Sequence, residues 1–363
     1  MDFTTTEAAQ DLSGLVDTIV DAICTPERQR ELDKLDQRFD RDLWRKLIDA
    51  DVLAAAAPEA LGGHGLGTLE QAAILTALGR QLAAVPYLES AVLAAGALAK
   101  FGSAELQQAW GAPAVAGDKI IAVALAGVMG EGPVQFSGGA LTGTRTQVAF
   151  APVADAFLVP AETDSGTAVF LVAADAPGVT VTPEQTTGLG STALVEFTGV
   201  AVDDAARLGG DGAGVLHYLT TLAALGRSSY QLGVLDRGLR LTAEYARERE
   251  QFDKPIGSFQ AVSQRLADGY IDVKALQLTV TQAAWRFGEG LPAATDVASA
   301  AFWAADAGHR VAHSIVHIHG GVGIDIDHPI HRYFLSAKQT EFDLGGATGQ
   351  LLAIGRELAD TPV

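Results

Sequence analysis

The sequence predicts a mixed α+β chain that is mostly helical, and three observations carry that reading. Apolar residues recur at helical spacing on both sides of the stretch Arg247 to Gln260: Leu232, Leu235, Leu239, Ala243 and Ala246 before it, and Val262, Leu266, Tyr270, Val273, Leu276, Val280 and Ala284 after it. Short β-prone runs punctuated by Gly, Pro, Asp and Thr are confined to residues 120–197. Residues 1–117 return to helical spacing, dense in Ala and Leu. The chain therefore divides into an N-terminal helical domain (1–117), a middle β domain (118–208) and a C-terminal helical bundle (209–363).

Taken in order, Leu12, Leu15, Ile19 and Ile23 mark one amphipathic face, and Trp44, Leu47 and Ile48 another. Leu69 to Leu82 and Tyr87 to Phe101 are further helices. Between them Pro58-Glu59-Ala60-Leu61-Gly62-Gly63-His64-Gly65-Leu66-Gly67 is a loop whose glycines suit positive φ angles. Strands are expected at 120–125, 156–159, 169–172, 179–181 and 194–197. Short strands with no helices between them argue for an antiparallel barrel or sandwich. From Gly212 the spacing is helical again, broken at Gln251 to Gly257 by Lys254-Pro255 and Gly257, and again at Gly320-Gly321.

With 363 residues, 48% of them apolar and 19% charged, the chain can bury a large core. Lys and Arg number 25 against 44 Asp and Glu, a formal charge of -19, which argues against a broad nucleic-acid or anionic-membrane footprint. The single Cys24 excludes an intrachain disulfide and suits a reducing compartment. Met1-Asp2-Phe3-Thr4-Thr5 is neither basic nor followed by a signal-like apolar run. No stretch approaches the roughly 20 consecutive apolar residues of a membrane span. The expectation is a soluble cytoplasmic protein.

Several motifs invite chemistry. Gly210-Asp211-Gly212-Ala213-Gly214 lacks the βαβ unit and the strand-end acid of a dinucleotide loop, since Asp236 falls inside a helix; a strand-to-helix hinge accounts for it. His309, His313 and His317 share one helix face with Asp306, but no Cys partner or His-Glu-x-x-His accompanies them, and no metal is assigned. Arg247 and Arg249 end one helix, where cations suit the macrodipole. A corner carrying Arg249, Gln251 and Phe252 can hold a phosphate and cover an aromatic ring; spacing alone favours the plainer reading of a charged helix end beside an ordinary turn.

The wording of that corner, Arg249-Glu250-Gln251-Phe252-Asp253-Lys254-Pro255-Ile256-Gly257-Ser258-Phe259-Gln260, resembles the Arg-x-x-Phe-Gly-x-x-Ile-x-x-x-Gln corner of the acyl-CoA dehydrogenase family, with Asp253 in place of Gly. The loop at Pro58 resembles that family's Pro-Glu-x-x-Gly-Gly-x-Gly, and His317-Ile318-His319-Gly320-Gly321-Val322-Gly323 its Gln-x-x-Gly-Gly-x-Gly with His317 for Gln. His328-Pro329-Ile330-His331-Arg332 is similar to Tyr-Pro-x-x-Arg, with Ser336 where an Asp is usual. The resemblance implies three parts: helical domain, β-barrel or sandwich, and four-helix bundle. It also implies that Arg249, Gln251, Phe252, Gln260, His317, Gly320 and Gly321 contact the FAD of a neighbouring subunit.

The family's hold on its own flavin is missing. Val123-Ala124-Leu125-Ala126-Gly127 stands for Val-Thr-Glu-Pro, and Gln147-Val148-Ala149-Phe150 for Trp-Ile-Thr, so neither hydroxyl donors nor a Trp wall is offered. The base that removes the proton α to the thioester is missing too. The family's Glu position falls at Leu344, with Asp343 a weak substitute one residue away, and the alternative position before an Arg is Gly226. The resemblance therefore extends to the paired, steroid-type subunits of actinobacteria. It implies an α2β2 assembly in which a second acyl-CoA dehydrogenase-like chain carries the catalytic Glu, acting on an acyl-CoA and passing electrons to an electron-transfer flavoprotein. Two alternatives stand beside this: a self-sufficient homotetramer with a non-standard base, and a non-catalytic acyl-CoA or flavin-binding scaffold.

Overall fold

The computed structural model describes residues 3–125 and 130–360. The chain forms two compact units. The first comprises the segment up to Pro26, Thr68–Ala83 and everything from Ala224; the second comprises Glu27–Gly67 and Ala84–Ala223.

The first unit is helical. It holds α1 (Glu7–Ile23), α5 (Thr68–Arg80), most of the long α9 (Gly212–Glu248), α10 (Gln260–Gly288), α11 (Ala294–His319), α12 (Ile330–Asp343) and α13 (Gly346–Asp360). Thr6 caps α1 by accepting from the Ala9 amide at 3.1 Å, satisfying one of the free N–H groups of a helix start. Small residues let α5 and α9 touch backbone to backbone. A Cβ on Gly233 would stand 1.9 Å from the Thr76 carbonyl oxygen, and one on Gly79 2.1 Å from that of Tyr230. Gln231, wholly buried on α9, donates to the carbonyls of Ala304 on α11 (3.2 Å) and Ala337 on α12 (3.0 Å) and so ties three helices together. Leu235, Leu276, Val280, Val311, Ile315 and Ile330 are among the apolar residues of the core around it.

The second unit holds α2 (Pro26–Leu32), α3 (Arg41–Asp49), α4 (Val52–Ala55), a π-helical turn (Tyr87–Ala94) running into α6 (Ala95–Phe101), α7 (Ala104–Leu106), α8 (Ala112–Ala116) and a sheet. Asp40 caps α3 through the Leu43 amide (3.1 Å) and takes both Arg28 nitrogens at 3.0 and 2.7 Å. Burial alone would raise its pKa, but the hydrogen bonds and charge of Arg28 and the Leu43 N–H outweigh burial and hold it below the usual carboxylate value.

The strands are β1 (Ile121–Val123), β2 (Val134–Ser137), β3 (Ala140–Ala149), β4 (Ala156–Thr163), β5 (Gly166–Ala173), β6 (Val179–Glu184) and β7 (Thr192–Ala201). They form one sheet ordered β1-β4-β2-β3-β7-β6, with β5 on β4. The expected antiparallel pairing holds for β2·β3, β3·β7, β4·β5 and β6·β7, but β1 and β2 both run parallel to β4 along one of its edges. The sheet is therefore mixed. β2 and β3 were not among the strands expected from the sequence; their turn, Gly138-Gly139, has both φ angles positive (58° and 79°).

Candidate functional site

The corner between α9 and α10 is a two-stranded hairpin, β8 (Glu250–Gln251) on β9 (Lys254–Pro255). Phe252 (φ 54°) and Asp253 (φ 61°) are its two central residues, both in the left-handed region that matches the strand twist of a two-residue turn. Asp tolerates that region; Phe does so at a cost of about 1 kcal/mol. The foot is fixed by the Arg249 amide donating to Tyr245 O (2.8 Å) and the Ile256 amide to Arg249 O (2.8 Å). Phe252 is 86% exposed, its ring touching Phe259 edge-on at 6.2 Å, and Arg249, Gln251 and Gln260 are exposed with it. The hairpin thus holds a guanidinium, an amide and an uncovered aromatic ring outward.

The second locus is the end of α11. His317 is exposed on the last turn, and Gly320 adopts φ 62°, ψ −137°, a conformation open to glycine alone. A Cβ added at Gly320 or Gly321 would meet nothing within 4 Å, so this backbone is bare to an approaching group. Between the two loci lies His319, a residue that the sequence reading passed over. Its ring stacks on Tyr245 (4.3 Å between centroids, 19° between planes), and its Nδ1 donates to Ile315 O at 2.8 Å. Burial pulls its pKa below the usual imidazole value; the Ile315 hydrogen bond opposes this and His328 adds to it. Position four residues before Arg249 for Tyr245, and immediately before Gly320 for His319, is the only sequence signal for this pair.

The segments that stand where the resemblance places the family's hold on its own flavin are engaged within the fold. Gln147 (φ 55°) donates its amide to Glu184 Oε2 at 2.7 Å, Val148 is buried in the sheet core, and Phe150 packs edge-on against Phe39 at 6.3 Å. Val123 and Ala124 are buried, while Ala126 and Gly127 lie outside the described residues. For a flavin the two half-sites therefore differ. The bare glycine turn and uncovered Phe252 fit one side of such a group; the β-module segment offers no hydroxyl and no Trp, and does not fit the ring.

Leu344, where the resemblance led us to expect the family's base, is 4% exposed and belongs to the apolar core cluster that includes Ile330 and Ala337. Gly226 is buried beside Arg227. Asp343 ends α12 at the surface, where it accepts from Gln339 Nε2 at 2.8 Å. Of the histidine ladder, His309 Nδ1 accepts from Lys338 Nζ at 3.0 Å, and its ring lies 4.6 Å from that of His313, tilted by 46°. Burial, then the neighbouring His309 and Lys338, lower the pKa of His313. Among the described residues no helix is long and apolar enough to cross a membrane.

Comparison with known proteins agrees with this architecture. The acyl-CoA dehydrogenase N-terminal domain model matches residues 6–118 and the C-terminal domain model residues 210–359. The chain is 71% identical to acyl-CoA dehydrogenase FadE27 of Mycobacterium tuberculosis, over 100% of both chains. It superposes with a TM-score of 0.97 on a chain of the ChsE4-ChsE5 complex from Mycobacterium tuberculosis, 72% identical over 100% of both. A chain of the Tcur3481-Tcur3483 steroid ACAD, solved as a variant, matches with a TM-score of 0.92 and 35% identity over 98% of this chain and 99% of that one. Matched at both ends and along its full length, the chain belongs to the acyl-CoA dehydrogenase family.

Proposed function

We propose that this chain is the supporting subunit of a heteromeric, FAD-dependent acyl-CoA dehydrogenase. The complex converts an acyl-CoA, by class a steroid side-chain thioester, to its trans-2-enoyl-CoA, with electrons passing on to an electron-transfer flavoprotein. Bound FAD supplies the acceptor for the hydride that leaves the β carbon. Arg249 offers a planar fork of donors to a phosphate oxygen, Phe252 covers an aromatic face, and Gln251 and Gln260 add amide contacts. His317 can give or take one hydrogen bond where the family has Gln. Gly320 and Gly321 let backbone approach the ligand. Removal of the α proton falls to a Glu of the partner, an acyl-CoA dehydrogenase-like chain in an α2β2 assembly, and the partner also brings the flavin-ring wall.

The observation that carries this reading is an asymmetry. The groups the family offers to a neighbour's cofactor stand outward around an 86% exposed Phe252, while the base position of this chain is Leu344, inside the core. Support for a heteromeric, steroid-type setting comes from the similar chains, which belong to a ChsE4-ChsE5 complex and to a steroid ACAD of two named components. The surface position of Asp343 lends nothing to a self-sufficient enzyme.

The test is the flavin-to-chain ratio by absorbance and native mass, on the chain alone and after co-expression with a second family chain encoded beside it. No flavin alone and one FAD per pair is the expected result. One FAD per chain in the lone protein, with turnover of an acyl-CoA, would sink the proposal.

A further inference from the structure

We propose that His319 is a positioning residue. As a neutral stacked ring it holds the Arg249–Phe252 hairpin and the Gly320–Gly321 turn in one register, so that the two loci move together or not at all.

The geometry runs through three elements. On α9, Tyr245 lies under the imidazole at 4.3 Å and its carbonyl receives the Arg249 amide, so the stack bears directly on the hairpin foot. On α11, His319 Nδ1–H is committed to Ile315 O, and the next residue is the left-handed Gly320. The turn then folds back: a Cβ on Gly323 would stand 3.1 Å from the Cβ of His319. Before α12, the His328 ring faces His319 at 5.3 Å, and His328 Nδ1 accepts from the Ile330 amide at 3.3 Å. With Nδ1–H used on a carbonyl and the ring 4% exposed, a second proton on Nε2 would create a buried cation beside another imidazole. No carboxylate is among the groups that set its protonation; Asp325 acts on His328, as does His331.

The sign follows. The folded environment disfavours the imidazolium, so the coupling is fully present above the ordinary imidazole value of about 6.5 and is lost as pH falls through the lowered folded value. Cation formation would loosen both loci in one step.

The experiment is hydrogen exchange by mass spectrometry on the full chain without flavin, following Arg249–Ile256 and Gly320–Asp325. In the wild type both segments lose protection, taken as the exchange rate relative to the intrinsic base-catalysed rate at each pH, as pH is lowered from about 7.5 through the imidazole range. His319→Ala loses the stack and the buried bond, and both segments exchange about tenfold faster together even at the higher pH. His319→Phe keeps a flat buried ring but neither the buried bond nor a titrating nitrogen: at the higher pH it lies between wild type and His319→Ala, and it loses the acid step. Tyr245→Leu removes the stack from the opposite side and loosens the same two segments, which guards against misfolding of the alanine variant. The proposal fails if His319→Ala or Tyr245→Leu loosens one segment without the other, or if His319→Phe retains the wild-type acid step. The consequence for the cofactor rests on the proposed function: in the co-assembled complex His319→Ala releases FAD about tenfold more readily. Should Arg249→Ala leave flavin retention untouched while the exchange results hold, the cofactor reading falls and the coupling stands.

Discussion

Leu344 illustrates how much one side chain decides. A carboxylate at that position would stand in the apolar core cluster that includes Ile330 and Ala337. Leu344→Glu is expected to cost about 3 kcal/mol at pH 8, because an unpaired buried charge is involved. Burial raises such a carboxyl above its unfolded value, so the penalty is fully present above the raised pKa and shrinks as pH falls through it. Urea midpoints at pH 8 and pH 5 measure this; an equal loss at both would mean that the position opens to solvent. The substitution alone is expected to give no turnover, since the segment Gln147 to Phe150 still lacks a flavin wall. Phe252 is the opposite case. At 86% exposed it supports little of the fold, so Phe252→Ala should leave the unfolding free energy from urea titration within about 0.5 kcal/mol of wild type while lowering flavin retention in the co-assembled complex. A large stability loss would place Phe252 in the fold rather than in a binding face.

At the scale of elements, close helix packing makes one substitution act in opposite directions. Gly233→Ala would drive a Cβ to within 1.9 Å of the Thr76 carbonyl and 2.8 Å of the Arg80 amide, neither of which can yield without shifting α5, and a loss of about 3 kcal/mol is expected. Gly14→Ala, on the exposed side of α1 with nothing within 4 Å, should gain up to about 1 kcal/mol from helix propensity alone. Thermal midpoints of the two variants check the pair; a neutral Gly233→Ala would mean that α5 and α9 can separate freely. Such contacts mark the limit of what the sequence discloses. The helices around Arg247 to Gln260 and the break at Gly320 are local patterns, and they were legible. The stack of Tyr245 on His319 joins residues far apart in the chain, and no periodicity reports it. The parallel pairing of β1 and β2 with β4 was hidden for a related reason: strand direction depends on where the chain returns, not on the composition of a run. Phe252 and Asp253 in left-handed turn positions were unforeseen because neither is the glycine that usually announces such a turn.

For the whole molecule, acid is the condition that separates the two units. His313, His319 and His328 all lie in the helical unit, and in each burial lowers the pKa below the ordinary imidazole value. A lowered imidazole takes up fewer protons folded than unfolded, so its contribution is intact above about pH 6.5 and is lost as pH drops through the folded value. Asp40 lies in the other unit, and its carboxyl is held below the usual range by Arg28 and the Leu43 amide. Its contribution is intact above about pH 3.9 and is lost only below that, as the carboxylate is protonated. The first unit should therefore begin to soften as pH falls below about 6.5, while the second holds to about pH 4. Hydrogen exchange at stepped pH resolves the two, following α10 and α11 against α3 and the strand β4. Simultaneous softening of both units near pH 6 would refute the separation and would point to one cooperative acid transition. If the proposed function holds, a first acid response at the helix ends beside Arg249, His317 and Gly320 would release the cofactor before the chain unfolds. Flavin release by the assembled complex is accordingly expected to precede loss of helical circular dichroism as pH is lowered.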